Sequence, residues 1–174
     1  MTMSQAHAVE PAVDQARRAK VLALLERDET RVAQLWAYQL DAMGLITSIG
    51  FPHRAEAAAQ GLVTELKAVL RGESPRSLAT LRDEAPASQV FHWQQMGLCR
   101  VTELFVAGQL ATRDWVFLVD EGDEAELLGR LEALSDAFRD LIRHFAAHYC
   151  DECRAVHGAR NCHPPVTRKT GVNP

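Results

Sequence analysis

The stretch DEAELLGRLEALSDAFRDLIRHFAAHY, residues 123–149, has the strongest helical pattern of the chain. Its apolar residues recur every three or four positions, which is the spacing of one face of an α-helix. They are Leu127, Leu131, Leu134, Phe138, Leu141, Ile142 and Phe145. Asp123 and Glu124 bring negative charge to the first turn, where the helix dipole favours it. We therefore expect a long amphipathic helix that ends near Tyr149 and buries its apolar face against partner helices.

The same helical spacing continues upstream of this stretch. An apolar stripe runs from about Asp14 to Met43, and we expect a break in it near Asp28. Gly44 follows the stripe as a stop signal, and Gly72 closes a second apolar stripe in the same way. These patterns predict two helices before the middle of the chain. The first is long and is broken near Asp28, and the second ends at Gly72.

The middle of the chain is predicted to hold a short helix, a central core helix and a separate third helix, over residues 77–82, 89–108 and 109–119. The few β-branched residues never alternate over the length of a strand. The fold class is therefore predicted to be all-α, a single bundle of five or six helices. Its core should include Trp36, Leu66, Trp93, Leu104, Leu131, Phe138 and Ile142.

The boundaries of the bundle follow from where the helical spacing begins and ends. We expect a flexible N-terminus over residues 1–13 and the bundle over 14–149. A short Cys/His-rich extension over residues 150–163 and a flexible tail over 164–174 should complete the chain.

Composition limits the class of protein. The 174 residues are 47% hydrophobic and 24% charged, which is typical of a globular domain. The formal net charge of −4 offers no dominant basic surface, so nucleic acid is not an expected partner. No apolar run approaches the roughly 18 residues of a membrane span, and the N-terminus lacks the pattern of a signal peptide. We expect a cytoplasmic protein with no membrane contact.

Three features of the middle of the chain are typical of one family. They are a tryptophan in the first helix, Trp36, a second helix that ends with Leu66, Val69, Leu70 and Gly72, and a mid-chain helix containing QQMGLCRVTEL. Over residues 21–145 the chain resembles the N-terminal sensory domain of RsbRD-type stressosome co-antagonists. The family's Arg-x2-Gln-Gly start of the mid-chain helix is replaced here, with His92 at the arginine position. The resemblance implies a helical domain that senses or relays signals through helix contacts and is not an enzyme.

The C-terminal stretch HYCDECRAVHGARNCH concentrates three of the four cysteines with three histidines. It contains the series Cys150-x2-Cys153-x3-His157-x4-Cys162, and a Cys-x2-Cys pair is the usual half-site of a tetrahedral metal. The spacing is one residue away from that of a CCHC zinc knuckle. These four residues are our expected metal ligands, with His148 and His163 as alternatives.

Several chemistries are compatible with this cluster. Zinc is expected first, because the ligand set mixes nitrogen and sulfur. An iron–sulfur cluster comes second, with a histidine or the distant Cys99 as its fourth ligand. A thiol switch between Cys150 and Cys153, or between either and Cys162, is a third interpretation. A helix end with reduced cysteines and no metal is the fourth. Separately, His144 and His148 are four residues apart and form a second candidate metal pair.

No set of serine, cysteine and histidine residues carries a hydrolase signature, and no glycine-rich phosphate loop is present. We therefore expect a non-enzymatic signalling or regulatory module with a metal- or redox-responsive C-terminal site and a protein partner, or a second copy of itself. The alternative is a metal-handling or metalloprotein-accessory factor. A nucleic-acid-binding protein resembling a zinc knuckle is a third hypothesis, although basic and aromatic surroundings are missing.

Overall fold

The computed structural model describes residues 3–46, 53–76, 80, 98–119 and 122–157, and at 3–12, 99 and 149–157 it describes the backbone alone. These residues form five helices: α1 (Met3–Arg27), α2 (Glu29–Ala42), α3 (His53–Leu70), α4 (Leu98–Val119) and α5 (Glu124–His157). Within these ranges there is no strand, so the predicted all-α class is confirmed. The predicted short helix over 77–82 lies almost entirely outside the described residues, as does the beginning of the predicted helix over 89–108.

The predicted break near Asp28 is confirmed, because Asp28 alone separates α1 from α2. Helical backbone hydrogen bonds pass through the break: the Asp28 amide donates to the Leu24 carbonyl, and the Val32 amide donates to the Asp28 carbonyl, both at 3.1 Å. The Asp28 carboxylate accepts a hydrogen bond from the Trp115 indole nitrogen at 3.2 Å. The break is therefore held in place by a residue on α4.

The predicted stop signals at Gly44 and Gly72 are confirmed as well. Both residues adopt positive φ angles, 64° and 77°, which glycine tolerates without a steric cost. After α3 the Glu73 amide donates to the Ala68 carbonyl at 2.9 Å, and the Gly72 amide donates to the Val69 carbonyl at 2.9 Å. This pair of bonds is a Schellman motif, which satisfies carbonyls that the helix end would leave unpaired.

The core lies where α2 and α5 meet the other helices. The α2 helix packs against α3 and α4, and α5 packs against α4, α1 and α3. The predicted core residues Trp36, Leu66, Leu104 and Phe138 are at most 1% exposed. Two others, Leu131 and Ile142, are only partly buried and pack at the margin of the core. Trp93 lies outside the described residues.

The prediction of two helices over 89–108 and 109–119 is wrong where the structure describes it, because α4 runs unbroken through Gly108. The reason is tertiary. The indole ring of Trp36 lies directly against the Gly108 backbone, at a place where a Cβ would overlap the ring. The Trp36 indole nitrogen also donates to the Leu104 carbonyl at 2.9 Å. Gly108 therefore leaves room for a tryptophan and does not end a helix.

The outer helices are longer than the sequence pattern suggested. The α1 helix begins at Met3, although we expected a flexible segment over residues 1–13. The α5 helix continues past Tyr149 to His157. No glycine or proline occurs between these two residues, so nothing in the local sequence ends the helix there. None of the helices described is long and apolar enough to cross a membrane.

Candidate functional site

The extension of α5 carries the first three residues of the predicted Cys/His cluster. Cys150, Cys153 and His157 all lie within this helix. Positions three and seven residues apart share one helix face, so the three positions line up along one side of α5. The remaining predicted ligand, Cys162, and the alternative ligand His163 lie outside the described residues, and so does every residue after His157.

The register of α5 separates this face from the one that enters the core. Phe138, Leu141 and Phe145 are buried at the core, and the mean direction of the cluster positions is roughly 120° around the helix axis from theirs. The cluster positions therefore continue the helix without continuing its buried apolar face. The positions of Cys150 and Cys153 follow the core residue Phe145 on the same helix.

An unbroken helix also limits how these positions can share one ion. At a rise of about 1.5 Å per residue, positions 150 and 157 are about 10.5 Å apart along the axis, whereas 150 and 153 are about 4.5 Å apart. Zinc bonds are only about 2.0 to 2.3 Å long. A neighbouring pair of positions suits one ion better than all three do. Further ligands would have to come from the chain after His157.

A second group of titratable side chains lies earlier on α5. The imidazole rings of His144 and His148 have their centroids 4.1 Å apart. The Nδ1 atom of His148 is 2.8 Å from the carbonyl oxygen of His144. Burial lowers the pKa of His144, and the neighbouring His148 lowers it further, whereas a backbone interaction with Arg76 and the charge of Glu65 act in the opposite direction. His144 is therefore biased toward its neutral form.

Glu65 is a buried carboxylate that our sequence analysis missed. It lies on α3 and is only 1% exposed. The Arg76 guanidinium Nε donates to its Oε1 atom at 2.5 Å, and the Arg76 backbone amide donates to its Oε2 atom at 2.7 Å. One arginine therefore satisfies both oxygens. A signal was present in the sequence, because Glu65 stands inside the apolar series of Leu62, Val63 and Leu66.

We expect Arg76→Ala to lower the free energy of unfolding by about 2 kcal/mol, because it removes a charged partner from a buried carboxylate. The loss is moderated because the Arg76 side chain is 37% exposed. Arg17→Ala is the matched control: its ion pair with Glu132 is exposed on both sides, and we expect a change below about 0.5 kcal/mol. Urea unfolding of both variants measures the difference. Equal losses would show that burial of Glu65 does not strengthen its pairing.

The tryptophans of the described region fill the core. Trp36 and Trp115 have no exposed surface, and each indole nitrogen has a hydrogen-bond acceptor. A surface cleft of about 240 Å³ does lie between α1 and the start of α5. Its three cations all lie in ion pairs: Lys20 and Arg130 share Glu126, at 3.0 and 3.3 Å, and Arg17 pairs with Glu132 at 2.8 Å. No cation of the cleft is therefore without an acidic partner.

Two groups of residues on α5 are therefore candidates for chemistry. The cluster positions could bind a metal or undergo thiol oxidation, and the pair of His144 and His148 could bind a metal. Among the side chains that the structure describes, no group of three or more His, Cys, Asp or Glu is placed to hold a metal ion. No protein-family model, no curated protein and no solved structure matches this chain. The resemblance to RsbRD-type sensory domains therefore stays a prediction.

Proposed function

We propose that this protein is a non-enzymatic regulatory module of the cytoplasm that binds a protein partner and responds to metal or thiol oxidation at its C-terminal cluster. Zinc is the first candidate ion. Of the four predicted ligands, a neighbouring pair on α5, either Cys150 with Cys153 or Cys153 with His157, would bind it together with Cys162. One observation carries the proposal: α5 is a single helix from the core to His157. A change at the cluster positions thereby acts on the same rigid element that packs against α1, α3 and α4.

The part of α5 that lies in the core contacts two other helices, so a change in α5 would affect their packing. Phe145 stacks on Phe105 of α4 with ring centroids 4.9 Å apart, and Phe138 makes an edge contact with Trp36 of α2. Phe145 precedes Cys153 by eight residues, about 12 Å along the helix. Metal binding or oxidation that favours a straight or a bent end of α5 would shift the equilibrium between arrangements of this packing.

A protein partner is supported by apolar side chains that the bundle leaves exposed. Phe117, Leu118 and Leu128 lie near the junction of α4 and α5 and are 57%, 61% and 52% exposed. Tyr38 on α2 is 64% exposed. A contiguous exposed apolar patch is typical of surfaces that bind proteins, and we propose that the side chains near this junction form one. A second copy of the chain is the alternative partner.

Elemental analysis of the purified full-length protein tests the metal part of the proposal. We expect the cysteine site to retain close to one equivalent of zinc per chain. The metal should be released at acid pH, since protons compete for thiolates and imidazoles. Cys153→Ser should lower the occupancy strongly, whereas Cys99→Ser, on α4, should leave it unchanged. The visible spectrum separates zinc from an iron–sulfur cluster, because zinc is colourless and the cluster absorbs.

The redox form of the proposal has its own readout. If the cysteines act as a switch, mild oxidation should remove two titratable thiols and alter hydrogen exchange in α5 around Phe145. Metal-free folded protein with four free thiols, and with no response to zinc, iron or oxidant, would contradict the proposed responsive site. A response at the cysteines without any change in exchange at Phe145 would contradict the coupling through α5.

A further inference from the structure

His144 and His148 have the geometry of a chelating pair. They are four residues apart on α5, so both lie on one helix face, and their ring planes are inclined by only 38°. Two histidines at this spacing on one helix supply two ligands to a single ion in many metal sites. The pair has no part in the proposed function, which concerns the cysteine positions.

The hydrogen bond of His148 determines which of its nitrogens is available. The His144 backbone carbonyl can only accept, so the Nδ1 atom of His148, 2.8 Å away, carries the proton. In a neutral imidazole the Nε2 atom then has a free lone pair. Histidine ligands commonly make this second hydrogen bond, which fixes the ring and raises its basicity. The local backbone thus prepares His148 to bind a cation.

His144 contributes a nitrogen without a partner. Its Nε2 atom is buried and makes no hydrogen bond to a described residue, although the Arg76 backbone lies close enough to act on the ring. A buried polar atom without a hydrogen bond destabilises the protein, and a bound cation would offset that loss. Burial keeps the pKa of His144 low, which favours the neutral form that metals bind. The carboxylate of Glu65, which also acts on His144, favours positive charge beside the ring.

We propose that His144 and His148 bind one divalent transition-metal ion through their Nε2 atoms, with water completing the coordination. Imidazole nitrogen suits zinc, copper and nickel. No third His, Cys, Asp or Glu joins the pair among the side chains described, which is why water is needed. The helical register places this pair roughly 170° around the axis from the mean direction of Cys150, Cys153 and His157. The two groups therefore form separate sites.

Zinc titration of a cysteine-substituted protein tests this site by itself. The full-length chain carrying Cys150→Ser, Cys153→Ser and Cys162→Ser is freed of metal and titrated with Zn²⁺ alone by calorimetry. We expect it to bind one equivalent. His144→Gln or His148→Gln in this background should weaken binding by about tenfold or more, as loss of a ligand requires. His53→Gln, an exposed histidine on α3, is the matched control and should change nothing.

Thermal unfolding supplies a second measurement if a substitution also perturbs the fold. Zn²⁺ should raise the melting temperature of the cysteine-substituted protein and of its His53→Gln variant, but not that of the His144→Gln variant. Absence of zinc binding by the cysteine-substituted protein would overturn the proposal. Binding that neither His144→Gln nor His148→Gln weakens would overturn it equally. Neither result bears on the proposed cysteine site, because the titrated protein lacks its cysteines. The cysteine site is tested separately by the loss of metal in the Cys153→Ser variant.

Discussion

Gly108→Ala is expected to lower the free energy of unfolding by about 3 kcal/mol, measured by denaturant titration. A Cβ atom on Gly108 would fall within 3.0 Å of three ring atoms of Trp36. The ring cannot easily move away, because it is fully buried, contacts Phe138 and donates to the Leu104 carbonyl. Alanine favours a helix over glycine by about 1 kcal/mol, so a net loss at this position reports the overlap.

Gly61→Ala is the matched control for this substitution. Gly61 also lies within a helix, α3, and an added Cβ there would meet nothing within 4 Å. We expect it to stabilise the protein by up to about 1 kcal/mol. Trp36→Phe removes the ring atoms that would overlap, so the Gly108→Ala and Trp36→Phe losses should sum to more than the loss in the double variant. If Gly108→Ala raises the free energy of unfolding as Gly61→Ala does, Gly108 does not lie against the Trp36 ring.

Phe138→Ala is expected to cost about 3 to 5 kcal/mol, because it leaves a cavity in the core. Phe138 is 1% exposed, and its ring meets the edge of Trp36 with a centroid distance of 5.6 Å. The substitution therefore removes the contact of α5 with α2 at the centre of the bundle. Equilibrium unfolding in urea measures the loss, and circular dichroism verifies that the variant still folds.

Leu131 and Leu128 lie on the same helix and provide comparison variants for Phe138→Ala. Leu131 packs at the margin of the core and is only partly buried, so Leu131→Ala should cost less than Phe138→Ala. Leu128 is 52% exposed, and we expect Leu128→Ala to change stability by less than about 0.5 kcal/mol. A loss below about 0.5 kcal/mol at both Phe138 and Leu131 would show that α5 does not form part of the core.

Only part of the candidate sites could be predicted from the spacing of residues in the sequence. The Cys-x2-Cys spacing and the four-residue spacing of His144 and His148 are visible in the sequence, because ligand spacing is a property of neighbouring residues. The apolar spacing ends near Tyr149 and did not indicate that α5 continues through Cys153, although no glycine or proline stands between these residues. Helix length depends on the absence of a breaker and on tertiary support, and we expected the helix to end near Tyr149.

Three features of this fold were predictable from the amino-acid sequence: the all-α class, the break at Asp28 and the helix ends at Gly44 and Gly72. The class and the helix ends depend on hydrogen bonds or apolar spacing within a few residues, so the local chain contains the information. The break at Asp28 also has a hydrogen bond from the distant Trp115. Two other features are visible only in the packed bundle: Gly108 faces Trp36, and Glu65 is buried beside Arg76 and close enough to His144 to act on it. These relations join residues 11 to 79 positions apart along the chain. Their physical cause is the close packing of separate helices, which no local periodicity encodes.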